Sequence, residues 1–207
     1  MSIASSIGRL NDTFVAWISK IDWLGPLALR LYLVPVLWVA GMNKFGSFDN
    51  IVDWFGNADY GLGLPMPWLM AFLATATEAV GAILLLFGLA TRLIAIPLII
   101  TMIVAMTTVH WGHGWQAVHD AQSPFASKYT LSIEAEDATA AGERLSRAKE
   151  ILRENGNYEW LTEQGNFIIS NSGAEWAVTY LVMLLALLFT GAGRLSLDHL
   201  LARSRRE

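Results

Sequence analysis

Two residues stand where charge is costly. Arg30 and Glu78 are each the lone charge in a long apolar stretch, residues 23–43 and 67–89. A charge at the centre of a membrane span costs about 2.5–3.5 kcal/mol on insertion scales. Such groups face inward and pair. If antiparallel spans enter from one face, Arg30 lies ~10 Å deep and Glu78 ~16 Å deep at the helical rise. An extended arginine can close that gap, so the sequence predicts an intramembrane Arg30–Glu78 ion pair. The pair either locks two helices together or floors a polar pocket for a quinone, an anion or a proton. Lys44, Thr75, Thr77 and Arg92 are the candidate pocket residues. Small and hydroxyl residues also serve helix packing, the commoner use of Thr75 and Thr77.

The second chemical feature is His110-Trp111-Gly112-His113-Gly114-Trp115, with His119 just beyond. On a continuing helix His110 and His113 share a face, a spacing that can hold a metal. Gly112 and Gly114 interrupt the helix, however, and no carboxylate motif adjoins. An interfacial aromatic belt with incidental histidines is the stronger reading. The chain has no cysteine, which excludes disulfides, Fe–S clusters and thiolate catalysis. No Ser/His/Asp grouping, glycine-rich phosphate loop or paired-carboxylate pattern is evident in the long loop.

The elements that position these residues follow from composition. The 207 residues are 54% hydrophobic and 15% charged, against about 25% charged in soluble domains. A net charge of −4 leaves no electrostatic footprint for nucleic acid. Apolar runs at residues 23–43, 67–89, 93–109 and 176–193 suit four spans of ~30 Å of hydrocarbon. Before them, Ile3, Ile7, Leu10, Phe14, Trp17 and Ile21 form one apolar stripe. This predicts an in-plane helix over residues 1–22 rather than a signal peptide. Phe45, Phe48, Val52 and Phe55 predict a short interfacial helix within 45–58, the end of the first long segment before span two.

Residues 113–173 read as an extracytoplasmic module. Ala138, Ala141, Leu145, Ala148 and Leu152 form a helical stripe that Asn155-Gly156 stops. Tyr158, Trp160, Phe167 and Ile169 alternate about a Gln164-Gly165-Asn166 turn, which predicts a β-hairpin. Span four follows within 174–193, then a basic tail over 194–207 that can touch anionic lipid. Arg9, Lys20, Arg92, Arg194, Arg203, Arg205 and Arg206 fall on one side of such a bundle. Lys44 stands alone near the span ends on the other. The positive-inside rule then places both termini in the cytoplasm. The expected fold is an all-α membrane protein, a four-transmembrane-helix bundle with an in-plane N-terminal helix and a small extracytoplasmic helix-plus-hairpin insertion.

Several short motifs carry a resemblance. They are Arg30 in span one, Gly41-Met42-Asn43-Lys44-Phe45 at its exit, Thr77-Glu78-Ala79-Val80-Gly81 in span two, and Leu86-Phe87-Gly88-Leu89-Ala90-Thr91-Arg92 leading into span three. In this order they resemble the DoxX family of small four-helix membrane proteins. The resemblance covers residues 24–110 well and span four loosely, while residues 113–173 depart from the compact pattern. That insertion resembles the subgroup linked to copper-related modified-peptide maturation. The resemblance implies a bacterial inner-membrane, multi-pass protein. Some relatives are associated with quinone-linked sulfur oxidation or thiol-stress complexes, but a cysteine-free chain cannot itself do dithiol chemistry.

Three functions compete. The first is a non-catalytic partner or anchor in an envelope complex, with a membrane or periplasmic protein docked on the outer module. The second is a redox accessory subunit holding a quinone near Arg30 and Glu78. The third is a small transporter, for which a homodimer would supply the pathway.

Overall fold

The computed structural model describes residues 3–120 and 138–205. Residues 121–137 of the expected outer module and Arg206 of the basic tail lie outside the described residues. Nine α-helices are described: α1 Ile3–Ile18, α2 Leu24–Gly46, α3 Phe48–Gly56, α4 Pro67–Phe87, α5 Thr91–Val104, α6 Ala138–Asn155, α7 Tyr158–Leu161, α8 Glu175–Thr190 and α9 Leu197–Ser204. Among the described residues three segments are long and apolar enough to cross a membrane: Leu24–Gly46, Pro67–Phe87 and Thr91–His113. The last runs through α5, a π-helical turn at Ala105–His110 and a 3₁₀ turn at Trp111–His113. The expected fourth span is shorter than its apolar run, because α8 has 16 residues. Gly191 and Gly193, both at φ +77°, end it.

The chain forms two compact units. One comprises Met1–Thr101 with Val182–Glu207, the other Met102–Leu181. In the first unit the core stripe of α2 is Arg30, Leu33, Leu37 and Gly41, at helical spacing. On α4 the matching stripe is Ala71, Thr75, Glu78, Gly81, Ala82 and Leu85. The two helices meet at a glycine. A Cβ on Gly41 would stand 2.7 Å from the backbone nitrogen of Ala79, so only glycine permits this approach. Gly81 likewise lies under Leu98 of α5. Elsewhere the helices expose large apolar side chains such as Leu31, Val39, Phe72, Leu93 and Ile100. An all-round apolar surface is what a lipid-facing helix presents.

A short helix does form where one was expected, as α3, with Phe55 buried. Phe45 belongs instead to α2, which continues past residue 43 to Gly46. Trp68 stacks on Phe72 at 5.5 Å and meets Phe48 edge-on at 6.1 Å. In the α3–α4 connection the Asn57 carboxamide oxygen accepts from the amides of Asp59 and Tyr60.

The second unit corrects the hairpin. Among the described residues there is no strand at 158–169, and Tyr158–Leu161 is one turn of helix. The Asn157 side chain accepts the Trp160 amide at 3.3 Å and caps that turn. Local capping therefore outcompetes the alternating pattern. The extended signal further on is real but has another partner. Ile169 accepts the His119 amide at 2.9 Å, the Asn171 amide donates to Ala117 at 3.0 Å, and the Glu175 amide donates to Trp115 at 2.9 Å. A single antiparallel bridge, Val118 with Ser170, marks this pairing. Arg153 lies over the Tyr158 ring at 4.7 Å, and that ring packs on Phe167 at 6.2 Å.

Candidate functional site

The buried charges are where the sequence places them, but their partners differ. Glu78 bonds Lys44, Nζ to Oε2 at 2.6 Å, with the carboxylate side chain 5% exposed and the lysine 25%. The expected Arg30–Glu78 pair is thus replaced by Lys44–Glu78. The cause is the length and packing of α2. Residues 30, 33, 37, 41 and 44 form one face, and because the helix runs to Gly46, Lys44 extends the stripe by a turn. The close approach at Gly41 and Ala79 then brings the lysine to the carboxylate next door. Thr75 is buried one turn from Glu78, its hydroxyl donating to Ala71 at 2.7 Å. Thr77 is half-buried on the same helix.

Arg30 is 1% exposed and reaches the other way. Its guanidinium donates to the carbonyls of Leu85 at 3.0 Å, Leu86 at 3.4 Å and Leu195 at 2.5 Å. The last carbonyls of a helix lack intrahelical donors and carry the negative end of its dipole. For Arg30 the end of α4 is a nearer and better partner than a carboxylate deeper in the bundle, and long cationic side chains extend outward by preference.

The same turn is held from its other side. Asp198, in the first turn of α9, accepts the amides of Ala90 at 2.7 Å and Thr91 at 2.9 Å, capping α5. The Asp198 amide donates to Gly88 at 3.0 Å. Gly88 has φ +61°, and a Cβ there would run into the Arg30 guanidinium and Ser196. Ser196 caps α9 by accepting the His199 amide. The turn from Leu86 to Arg92, singled out by its motif, is thus clamped by Arg30 and Asp198. Sequence reading missed Asp198, since an acid early in a short helix ordinarily serves its own N-terminus.

Arg92 does not join the Lys44–Glu78 group. It lies at the other end of the helices, donating to the Phe189 carbonyl at 3.0 Å and capping α8. His110 and His113 also have separate partners, while the buried Nε2 of His119 meets none among the described residues. His110 Nδ1 contacts the Ser172 carbonyl at 2.6 Å, and His113 Nδ1 contacts that of Val109 at 3.1 Å. Among the described residues no group of three His, Cys, Asp or Glu side chains is placed to hold a metal.

The DoxX family model matches residues 25–111. The chain is 35% identical over 86 residues to "Putative oxidoreductase CatD" of Bacillus subtilis (strain 168), covering 42% of this chain and 60% of that protein. It is 32% identical over 98 residues to "Inner membrane protein YphA" of Escherichia coli (strain K12), covering 47% of this chain and 66% of that protein. The chain therefore spans about two thirds or less of the length of these curated relatives. No solved structure gives a significant match. All the motif residues described above, Arg30, Lys44, Glu78, Gly88 and Arg92, fall inside the matched stretch, whereas Asp198 and most of the Met102–Leu181 unit fall outside it.

Proposed function

We propose that this DoxX-type membrane protein is a non-catalytic partner of a bacterial envelope complex, anchored by its apolar helices and docking another protein on the Met102–Leu181 unit. The observation that carries this reading is that unit itself, a compact addition lying mostly beyond the family-matched stretch. Its helix α6 is polar and displays Arg147, Glu150 and Arg153 to solvent. The charges inside the spans support the same reading, because Arg30 and Glu78 are bonded to backbone carbonyls and to Lys44. In this reading α8 crosses as a fourth span, both termini are cytoplasmic and α6 is extracytoplasmic, as the Lys/Arg distribution favours.

The cysteine-free chain makes the test clean. Ser146→Cys on α6, carrying a photocrosslinker, should give one discrete protein adduct in native membranes. The same label at Ser204 on α9 should not. Equal, diffuse labelling from both positions would defeat the reading.

A second reading is a quinone-linked redox accessory subunit. The partly exposed Lys44 over a buried Glu78 favours it, as does the name of the Bacillus relative, an oxidoreductase. It predicts quinone in fixed ratio in lipid extracts of the purified protein, reduced in Glu78→Gln. The partner reading predicts no such ratio.

A further inference from the structure

Within the first unit, one cleft is built of charges and apolar walls together. It has a volume of about 900 Å³, and Trp23, Pro26, Arg92, Leu93, Arg194 and His199 are among the residues that line it. It sits where the N-terminal ends of α2 and α5 meet the C-terminal end of α8. The two acids in its wall are engaged. Asp198 holds the Ala90 and Thr91 amides, and Asp22 receives one N–H of Arg194 at 3.1 Å. Arg194 also donates to the Ser19 carbonyl at 3.4 Å, with its side chain 56% exposed. Arg92 is exposed and donates one N–H to Phe189. A guanidinium has five donors, so both arginines keep further N–H groups for an acceptor. Beside the cleft, Leu93 and Phe189 are 71% and 76% exposed.

We propose that this cleft binds the phosphate headgroup of an anionic glycerophospholipid, with its acyl chains along Leu93 and Phe189. Two arginines at one end of a set of apolar helices supply planar donors for phosphate oxygens. The adjoining apolar side chains suit hydrocarbon, which a free phosphate lacks. The inference concerns residues of the first unit alone and does not depend on the partner reading.

The test is native mass spectrometry of the full chain in detergent, titrated with dioleoyl phosphatidylglycerol, with dioleoyl phosphatidylcholine, and with glycerol 3-phosphate as competitor. The expected result is a preference for phosphatidylglycerol that glycerol 3-phosphate does not displace. Arg92→Gln and Arg194→Gln should each weaken that binding about fivefold, the value of one interfacial cation. Arg92→Lys should keep the preference, and Arg147→Gln on α6 should leave it unchanged. Equal affinity for the two lipids would overturn the proposal, and this comparison on the unmodified chain stands even if a variant fails to fold. So would an equal loss from Arg147→Gln. Displacement by glycerol 3-phosphate would show a soluble-phosphate site instead and would also overturn it.

Discussion

A lysine ammonium and a glutamate carboxylate 2.6 Å apart in an apolar bundle are worth most when both are present. Removing one partner of a fully buried pair costs about 3–5 kcal/mol. Lys44 is a quarter exposed, so Lys44→Met or Glu78→Gln alone should cost about 1–3 kcal/mol. The double variant should recover part of that loss. A double-mutant cycle read by unfolding in mixed micelles checks this, and strictly additive losses would contradict the pair. Asp198→Ala should cost about 1–2 kcal/mol, the value of a helix cap, seen as a lower melting temperature in detergent. Outside the helices, Tyr60 donates its hydroxyl to Asp53. That bond, then some loss of hydration and the carboxylate charge, holds the phenol above its ordinary titration range. The protonated phenol is the favoured form. Any stability it lends is therefore fully present below the free phenol's pKa of about 10 and is lost as pH rises through the higher folded value. Ultraviolet titration should show the Tyr60 phenol titrating late, a component absent in Tyr60→Phe and shifted down in Asp53→Asn.

At the scale of elements, the α2–α4 contact depends on one missing methyl group. Gly41→Ala would press a Cβ against the Ala79 backbone, 2.7 Å from its nitrogen. Backbone cannot swing aside, so the helices must separate, at about 1–3 kcal/mol. The drop should appear in detergent melting curves, and Gly46→Ala, with open space around its Cβ, should not share it. The apolar runs made three spans legible because hydrocarbon thickness fixes their length. Arg30 and Glu78 were legible as interior charges, since lipid-facing ones are so costly. Their partners were not, because pairing depends on where α2 ends and on which face meets α4. Alternation at Tyr158 and Trp160 misled for a related reason. Period two over so few residues also fits a single helical turn, and the Asn157 cap decides between them.

For the whole molecule, the testable property is which way it sits in the bilayer. Single cysteines at Ser204 on α9 and Ser146 on α6 should label oppositely with a membrane-impermeant maleimide in intact cells. Ser146→Cys should react and Ser204→Cys should stay silent until the membrane is opened. Labelling of both from outside would place the ends of the bundle differently from the reading given above. The expected orientation rests on charges near the span ends and needs no knowledge of packing. The Asp198 cap is the reverse case. It joins residues 108 positions apart, and no local pattern in either segment announces it.

That separation bears on the order of biosynthesis. The turn before Thr91 leaves the ribosome long before the carboxylate that seals it, 107 residues downstream of the Thr91 amide. At about 5–20 residues per second, the nascent chain must hold its third apolar helix in the membrane for several seconds with its leading amides uncovered. Release of the final segment then closes the hairpin retroactively. Ribosome-stalled chains ending before Leu195 should accordingly be cut by protease at the Phe87–Arg92 turn, whereas chains released with Asp198 in place should resist.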